Sequence, residues 1–484
     1  MTLGKVDAPI GIGDDYFERF GVSHEALAKV LSAAMARGAD DCDLFFEHAS
    51  STAVVLSDGI VNRAFTGVDL GMGIRVVVGD QVGYAYTEDL DVGAMIDAAK
   101  IAAEIAQGTR AIAPVALTPR RYADRYPVGR RWDAVGIEER IPLIRGWESA
   151  AFARDPRIEK VQVSLSDSER VLQVVRPDGR LCVDYQPMTT AFVACTAVDG
   201  DVRESGAYNV SSRSDMTFYQ DAERCERLVD KAVDRTLFLL TAGKPPAGEL
   251  PVVMAAGASG ILLHEAIGHG LEADFNRKRV SIYADRIGQQ VAPDTVTIVD
   301  DGTLDHARGA INVDDEGNAA ENTTLIQNGV LTGYLHDEIS ARHFGVPSTG
   351  SGRRESFRHA PMPRMRATYM LAGPHEPEEI IRSVKKGIYC ETFANGQVQI
   401  GAGDFAFYMR QGYLIEDGKL TQPIKDVNII GNGPAALEQI EMVGNDLKLD
   451  EGGWTCGKEG QSVPVSQGQP TILVSNLTVG GIGA

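Results

Sequence analysis

The chain has 484 residues, of which 44% are hydrophobic, so it is long enough for two domains and can form large buried cores. Its net charge of −20 argues against a nucleic-acid-binding protein, because contacts with phosphate groups need a basic surface. One local exception is a group of arginines, which could bind a polyanion but more often pairs with a carboxylate ligand or with acidic residues inside the protein. These arginines are Arg353, Arg354, Arg358, Arg364 and Arg366.

The cysteines and the N-terminal sequence predict a cytoplasmic location. The six cysteines are scattered and include no C-x-x-C pair, as is typical of proteins from a reducing compartment. The N-terminal sequence has no apolar run after basic residues, and no segment approaches about 18 successive apolar residues. We therefore expect a soluble, cytoplasmic protein without a signal peptide or a membrane-spanning segment.

In chain order, the first predicted elements are a helix, several short strands and a second helix. Residues 24–37 have apolar residues at helical spacing, and Ser23 is placed to cap this helix. Short runs such as DLFFEH and GIRVVV are separated by Gly and Asp, which favours strands, and a helix over 90–107 follows. Residues 109–136 lose this periodicity and contain prolines, which is typical of a connecting segment.

The same order of elements then recurs. A helix over 137–153 precedes further strand-like runs with a Pro-Asp-Gly turn at 177–179, and an amphipathic helix over 221–241 follows them. We therefore predict that residues 1–241 form an N-terminal α/β domain composed of two helix–meander–helix units.

The clearest domain boundary is the stretch GKPPAG at residues 243–248, because glycine ends a helix and the paired prolines prevent it from continuing. We assign residues 242–249 to a linker and residues 250–484 to a C-terminal domain. The sequence thus predicts two domains.

The second half is rich in strand signals. Asn328-Gly329 and Asp417-Gly418 each follow a strand-like run, and both dipeptides favour the tight turns of β-hairpins. Only two helices are predicted to interrupt the strands, over 376–386 and 433–443. We therefore predict an α+β fold, with an N-terminal helix/β-meander domain and a largely antiparallel C-terminal β domain.

The strongest functional signal is LLHEAIGHGLEAD at residues 262–274, in which Glu265 follows His264 directly and His269 lies five positions after His264. Zinc-peptidase helices usually carry H-E-x-x-H, whose two histidines leave the same face of the helix. The neighbouring residues are apolar, so the polar residues belong to a segment that is otherwise buried, where a metal ion would satisfy them. We interpret the two histidines as metal ligands.

The extra residue in this motif predicts a distorted helix. On a regular α-helix, positions five apart diverge by about 140°, which is too far to share one tetrahedral metal ion. One inserted residue, a π-bulge, returns them to one face, and such bulges are common at functional sites. Gly268 and Gly270 flank His269 and would allow the helix to widen or to end there.

Residue chemistry assigns roles within the motif. Neutral His264 and His269 would bind Zn²⁺, and Glu265 would act as a general base toward zinc-activated water. A catalytic zinc ion needs a third protein ligand; Cys456 is attractive because glycines flank it and Lys458 would favour its thiolate. Glu272 is close in sequence but could instead hold a ligand imidazole in place. The candidates for the third ligand are Glu272, His306, Glu355, His359, Cys390 and Cys456.

Several longer stretches carry a more specific signal than the six-residue motif. They are LLHEAIGHGLEADFNRK, GRRESFRHAPMPRM, YLIEDGKLTQPIKD, VGNDLKLD and CGKEGQSVPVSQGQPT. Together they resemble the TldD/PmbA metallopeptidase family, nearly continuously over 250–484 and more faintly in the N-terminal half. The resemblance implies the metal ligands His264, His269 and Cys456, with Glu265 as the catalytic residue.

The resemblance also implies an activity and a partner. It implies a zinc peptidase that acts in the cytoplasm on peptides and unfolded polypeptides, including the maturation of peptide precursors and the removal of antitoxins. The resemblance implies a two-domain subunit that pairs with a homologous subunit, TldE (PmbA), which lacks the metal motif. The alternative is a homodimer of two copies of this chain. The sequence departs from the family pattern at Arg366-Ala367, where a Thr-Asn pair is expected, and this bears on substrate preference rather than on the metal residues.

Two alternatives to a zinc peptidase remain open. A non-catalytic regulatory or interaction subunit of the same fold would explain the fold but not the retained motif. A regulator of a nucleic-acid enzyme, a role linked to the family, is disfavoured as a binding mode by the charge of −20.

Overall fold

The computed structural model describes residues 12–106, 108, 113–245 and 247–481. Within these residues the chain forms nine α-helices and twenty-four β-strands. The helices are α1 (His24–Met35), α2 (Val92–Ala102), α3 (Ile137–Arg154), α4 (Ala222–Thr241), α5 (Ile261–Leu263), α6 (Ala273–Arg277), α7 (Glu338–Phe344), α8 (Pro377–Ser383) and α9 (Gly433–Glu438). None of them is long and apolar enough to cross a membrane.

The strands of the N-terminal half are few and long. They are β1 (Asp41–Ser57), β2 (Ile60–Val78), β3 (Gln81–Thr87), β4 (Thr118–Arg120), β5 (Ile158–Val175), β6 (Arg180–Asp199) and β7 (Val202–Ser212). They form one sheet in the order β3-β2-β1-β5-β6-β4, and β7 also pairs with β6. The two helix-and-strand groups of the N-terminal sequence therefore lie side by side in a single sheet, joined by the antiparallel pairing of β1 with β5.

The helices of this half begin at capping residues and cover the sheet. The Ser23 hydroxyl accepts a hydrogen bond from the Ala26 backbone N–H, and the Asp221 carboxylate accepts one from Arg224, so α1 and α4 start where these side chains satisfy free backbone groups. Helices α1 and α2 pack on β1 and β2, whereas α3 and α4 pack on β5, β6 and β7. The predicted helix over 90–107 is shorter in the structure: α2 ends at Ala102 and a 3-10 turn continues to Ile105. Residue 107 and part of the predicted connecting segment, 109–112, lie outside the described residues.

The C-terminal half contains the remaining strands. They are β8 (Gly248–Met254), β9 (Ile298–Asp301), β10 (Asn322–Gln327), β11 (Val330–Leu331), β12 (Gly352–Arg353), β13 (Met362–Pro363), β14 (Ala367–Met370), β15 (Lys386–Gln399), β16 (Asp404–Glu416), β17 (Lys419–Ile424), β18 (Val427–Asn432), β19 (Ile440–Val443), β20 (Lys448–Leu449), β21 (Thr455–Lys458), β22 (Gln461–Pro464), β23 (Ser466–Gln469) and β24 (Ile472–Gly481). Strands β15, β8, β24, β18 and β16 form a closed ring, because β15 pairs with both β8 and β16. A second sheet has the order β11-β10-β9-β14-β23-β20.

Most pairings in this half are antiparallel, which confirms the predicted α+β class. The two predicted hairpin turns are also confirmed. Asn328 and Gly329 join β10 to β11 with φ angles of 47° and 76°. Asp417 and Gly418 join β16 to β17 with φ angles of 48° and 73°. These positive φ angles are the backbone conformation that Asn, Asp and Gly tolerate best.

One predicted helix is partly wrong. The helix expected over 433–443 ends at Glu438, and Ile440–Val443 instead forms β19, which pairs with β24. Ile440 and Val443 are buried in this strand. Apolar residues three apart fit a helix as well as an irregular strand, and the pairing with a distant strand decides the outcome.

The two halves share a buried interface. Phe45, Leu172 and Val174 of the N-terminal sheet pack against Val313 and Phe357 of the C-terminal half. Ion pairs surround this apolar cluster, and the Asp43 carboxylate contacts both Arg75 of its own sheet and Arg354 of the other half. The domain boundary at 242–249 stays a prediction from the sequence.

Candidate metal centre

The backbone around the histidine motif is a distorted helix. Regular α-helical geometry holds only over Ile261–Leu263, and a π-helical segment follows over His264–Gly268. A 3-10 turn over His269–Leu271 then ends the helix. The extra residue of the motif is therefore absorbed by a π-bulge, as the spacing predicted.

Three side chains converge at this bulge. Ligand atoms of His264, His269 and Cys456 all lie within 4.8 Å of one another. The Sγ atom of Cys456 is 3.4 Å from Nε2 of His269, and the two imidazole rings stand 5.1 Å apart at 82°. The three residues are only 3%, 5% and 1% exposed. Two nitrogens and one sulfur at these distances form a donor set that suits zinc.

A hairpin brings the cysteine to the histidines. Cys456 lies on β21, opposite Val463 of β22, and is 187 residues from His269 in sequence. The Arg364 guanidinium, which is fully buried, donates a hydrogen bond to the Cys456 carbonyl oxygen. This contact holds the backbone of the hairpin at the residue that carries the thiol.

The electrostatics favour a thiolate between two imidazoles. Burial opposes ionisation of Cys456, but His264 and His269 hold its pKa well below the usual value. Burial likewise opposes a charge on His269, but Glu272 and Cys456 raise its pKa. The same balance, with Cys456 as the main attracting group, raises the pKa of His264.

Glu272 holds one of the histidines from the opposite side. Its Oε2 atom is 3.0 Å from Nδ1 of His269 and 3.1 Å from Nζ of Lys458. Burial opposes the charge of Glu272, but Lys458 and His269 lower its pKa to about 2. A carboxylate on Nδ1 directs Nε2 of His269 toward Cys456. Lys458, which was expected to favour the thiolate directly, instead pairs with Glu272 and with Asp274, at 2.8 Å.

Glu265 differs from its neighbours in exposure. It is partly exposed, whereas His264 and His269 are buried. Its negative charge also contributes to the raised pKa of His264, so the carboxylate is close to that imidazole. The acid of the motif is therefore the member nearest to solvent.

The other candidates for the third ligand lie elsewhere. Cys390 is buried on β15 among apolar residues, and this burial raises its pKa. Nδ1 of His306 is 2.9 Å from the Arg213 carbonyl oxygen, and Nδ1 of His359 is 3.2 Å from the Ser356 hydroxyl. Glu355 accepts a hydrogen bond from the Ser462 backbone N–H. In the described part of the chain, only His264, His269 and Cys456 form a group of His, Cys, Asp or Glu residues close enough to share a metal ion.

A cleft of about 520 Å³ opens beside the cysteine hairpin. Its wall includes Trp454, two positions before Cys456, together with Phe393 of β15, Tyr208 of β7 and Arg235 of α4. The sequence indicated no substrate-contacting residues, and these four come from separate segments without a shared motif. Only the packing of the two halves brings them together.

The arginine group is used inside the protein, as expected. Arg354 pairs with Asp43 at 2.7 Å, and Arg366 pairs with Asp300 at 2.7 Å. Arg358 contacts acidic residues of the N-terminal half, and Arg353 and Arg364 donate to backbone carbonyl oxygens. Four of the five are almost completely buried, so they form no surface for a polyanion. These four are Arg353, Arg354, Arg364 and Arg366.

Comparisons with known proteins identify the family of the chain. Three domain profiles match the chain: PmbA/TldA metallopeptidase domain 1 over residues 42–106, the central domain over 130–240 and the C-terminal domain over 247–481. The "Metalloprotease TldD homolog" of Haemophilus influenzae is 38% identical over 95% of this chain and 97% of its own length. The "Zinc metalloprotease TldD homolog" of Saccharolobus solfataricus is 27% identical over 94% of this chain and 99% of its own length.

Solved structures share the fold. A protein from Thermotoga maritima, 21% identical, superposes with a TM-score of 0.76 over 96% of this chain and 100% of its own. TldE from Thermococcus kodakarensis, 18% identical, gives a TM-score of 0.73 over 94% of this chain and 100% of its own. The family profiles treat the N-terminal half as two domains, although both contribute strands to one sheet. With matches along nearly its whole length, the chain belongs to the PmbA/TldD metallopeptidase family.

Proposed function

We propose that this chain is a zinc-dependent peptidase whose metal is held by His264, His269 and Cys456. The observation that carries the proposal is the convergence of these three buried donors where the π-helical segment meets the cysteine hairpin. Nδ1 of His264 is buried and has no hydrogen-bond partner among the described residues, as expected where a further group is to be bound. The lowered pKa of Cys456 supplies the thiolate that such a site needs.

The roles of the protein residues follow from their positions. When bound, zinc would supply Lewis acidity that polarises a peptide carbonyl and increases the acidity of water. Glu265 would take a proton from the attacking water and return it to the leaving amine. Glu272 would keep His269 in the tautomer that presents Nε2, because it accepts the hydrogen bond of Nδ1.

The substrates we propose are flexible or unfolded peptides in the cytoplasm, as in precursor maturation or antitoxin degradation. The cleft beside Trp454 lies between strands of both halves, so an extended peptide could bind there as an added strand. The test compares two substrates, a folded protein and an unfolded variant of the same protein. The peptidase should cut the unfolded variant, and the folded protein should resist cleavage. Equal cleavage rates would contradict strand-like binding.

Elemental analysis combined with a peptidase assay separates this function from a non-catalytic subunit. We expect about one zinc ion per chain and cleavage of unfolded peptides, measured with and without a homologous partner subunit. Glu265→Gln should keep the zinc but reduce cleavage by about a factor of 10³ or more, because general-base catalysis and water orientation are lost together. A metal-free, inactive protein would favour the interaction subunit, and near-normal turnover in Glu265→Gln would remove this residue from the mechanism.

We further propose that the chain acts as a dimer, with a homologous subunit or with a second copy. An enclosed site would protect cytoplasmic proteins from indiscriminate cleavage. The exposed edge of β2 supports a contact there: Ile60, Phe65 and Val68 are 69%, 52% and 65% exposed. Among the described residues, β3 covers β2 only over Met72–Val78, so the backbone before it is free to pair on that side.

The charges on this edge favour a specific register for two copies. In an antiparallel pairing centred on Thr66, Arg63 would lie opposite Asp69 of the partner subunit, twice per dimer. Thr66→Cys should then form a disulfide-linked dimer under oxidising conditions, whereas Thr52→Cys, on the neighbouring β1, should not. A mass near 52.0 kDa for the active enzyme in light scattering would contradict the dimer.

A further inference from the structure

A small cavity lies behind the hairpin that carries Cys456. It has a volume of about 30 Å³ and is bounded on one side by β22, the strand paired with the cysteine strand. Four arginines of both halves of the chain line it, while Asp315 and Glu355 are its only acidic lining residues in the described part of the chain. The four arginines are Arg170, Arg213, Arg353 and Arg354.

Two of these arginines have acidic partners. Arg354 pairs with Asp43 at 2.7 Å, and Arg170 pairs with Glu47 at 2.8 Å. The Asp315 carboxylate makes its direct contacts with this pair: it lies 3.5 Å from Arg170 and accepts the Arg354 backbone N–H at 2.7 Å. Its charge acts on Arg213 and Arg353 only from a greater distance.

The other two arginines have no carboxylate partner. Arg353 donates to the carbonyl oxygens of Met365 and Pro464, at 2.7 and 2.8 Å. Arg213 donates to the carbonyl oxygen of Arg308 at 3.2 Å. Neither forms an ion pair with any residue that the structure describes, although they are only 4% and 2% exposed. Two buried cations therefore line one cavity, and neither is in direct contact with a carboxylate of the described residues.

A bound anion would stabilise this arrangement. Removing a guanidinium from water is costly, and carbonyl oxygens return only part of that energy. The pKa values of two neighbouring arginines show the effect of a direct acidic partner. Burial lowers the pKa of Arg353 to about 9, whereas Asp43 more than offsets burial at Arg354 and raises its pKa. Asp184 attracts Arg213 without contacting it, because its carboxylate accepts hydrogen bonds from Tyr126 and Asn312, at 2.6 and 2.9 Å.

We propose that the cavity binds a small inorganic monoanion of the size of chloride, held between Arg213 and Arg353. The volume is sufficient for one ion of roughly the size of a water molecule, but not for a phosphate group or a peptide terminus with its chain. Because Arg353 also holds Pro464 at the end of β22, the bound anion stabilises the hairpin that positions Cys456. The site is independent of whether the metal centre is catalytic.

Bromide provides a direct structural test, since it replaces chloride and scatters anomalously. Crystals of the zinc-loaded protein grown or soaked in sodium bromide should show an anomalous peak in the cavity, within hydrogen-bonding distance of Arg213 and Arg353. A cavity that contains only water in such crystals would overturn the proposal.

Thermal unfolding provides a second test in solution. At equal ionic strength, sodium chloride should raise the Tm of the zinc-loaded protein by about 2 °C relative to sodium gluconate, because the bound ion stabilises the folded state. Arg213→Gln should remove this difference, whereas Arg203→Gln, at an exposed position of β7, should keep it. An equal Tm in both salts, or a full chloride effect in Arg213→Gln, would refute the site; the second outcome would also place the chloride effect elsewhere, such as at the metal.

Discussion

The two cysteines on strands of the C-terminal half have opposite surroundings. Cys456 contacts two histidines that lower its pKa, whereas Cys390 lies among apolar side chains that raise its pKa. We expect Cys456→Ser to lower zinc occupancy and peptidase activity together, because a hydroxyl is a much weaker zinc ligand than a thiolate. Cys390→Ser is the matched control and should change neither quantity, as measured by elemental analysis and peptide cleavage.

Spectroscopy distinguishes a lost ligand from a damaged fold. Cobalt-substituted wild-type protein should show thiolate-to-metal charge-transfer absorption, and Cys456→Ser should lose it while retaining the far-ultraviolet circular dichroism of the wild type. Truncation from Thr455 onward should abolish metal retention as well. If the wild-type protein lacks the charge-transfer band, Cys456 is not a ligand and Glu272 becomes the next candidate.

Protonation of His336 is expected to contribute to the loss of stability of the protein at acidic pH. It is 6% exposed, and burial lowers its pKa to about 4, below the value of about 6.5 expected in the unfolded chain. A histidine with a lowered folded-state pKa contributes stability above pH 6.5, and this contribution is lost as the pH falls toward 4. We expect a loss of up to about 3 kcal/mol in the free energy of unfolding over this range.

A substitution isolates this contribution from the titration of carboxyl groups. His336→Gln should flatten the pH dependence of unfolding between pH 6.5 and 4 relative to the wild type. His24→Gln changes an exposed histidine and serves as the control. The assignment is wrong if chemical denaturation gives the same pH dependence for His336→Gln and for the wild type.

Individual site residues could be predicted from the sequence only where they belong to a local motif. His264, Glu265 and His269 lie within six positions, so their chemistry and spacing indicated a metal site directly. Cys456 was one of several possible third ligands by residue chemistry, and only the family resemblance singled it out, because it is 187 residues from His269. The sequence left two roles open for Glu272, a metal ligand or a residue that holds a ligand imidazole. In the structure the Glu272 carboxylate contacts the His269 imidazole.

At the scale of elements, the π-helical segment depends on a close contact at Gly268. A Cβ atom at this position would lie 2.0 Å from Sδ of Met365 and 3.3 Å from the Leu263 carbonyl oxygen. We therefore expect Gly268→Ala to destabilise the protein by about 1–3 kcal/mol and to weaken zinc binding, because either the buried Met365 side chain or the bulge must shift to remove the overlap. Denaturant unfolding and zinc titration measure the two effects.

Gly457→Ala is the matched control for this substitution. Gly457 lies next to Cys456, but a Cβ atom there would meet no atom within 4 Å. It should leave stability and zinc affinity close to those of the wild type. If Gly268→Ala behaves in the same way, the contact with Met365 does not define the bulge.

Elements were predictable where their cause is local. The π-bulge followed from motif spacing, and the two hairpins followed from Asn-Gly and Asp-Gly turns. The strand at Ile440–Val443 could not be predicted in this way, because its partner Ile472–Val474 lies about thirty residues later and local spacing also fitted a helix. The spacing of apolar residues did not distinguish a helix from a strand here, and the pairing with a distant segment decided for the strand.

At the scale of the whole molecule, buried charges join the two halves. Asp43 contacts Arg75 at 2.5 Å and Arg354 at 2.7 Å, and Arg75 also contacts Glu316 at 2.6 Å. Asp43 and Arg354 are 311 positions apart, so no sequence pattern could pair them. The sequence predicted only that the arginine group of residues 353–366 would pair with a carboxylate ligand or with internal acidic residues. Which acid contacts which arginine follows from the packing of one half on the other.

This network makes Asp43 a sensitive position for the assembly of the whole fold. Asp43→Asn would leave Arg75 and Arg354 buried with less counter-charge, and breaking one member of a buried ionic group costs about 3–5 kcal/mol. Asp97→Asn is the control, since its pair with Lys100 is exposed on both sides and contributes about 0.5 kcal/mol or less. Denaturant unfolding should therefore show a much lower midpoint for Asp43→Asn than for Asp97→Asn. Equal midpoints would mean that the apolar cluster around Phe45 and Phe357, rather than these charges, holds the two halves together.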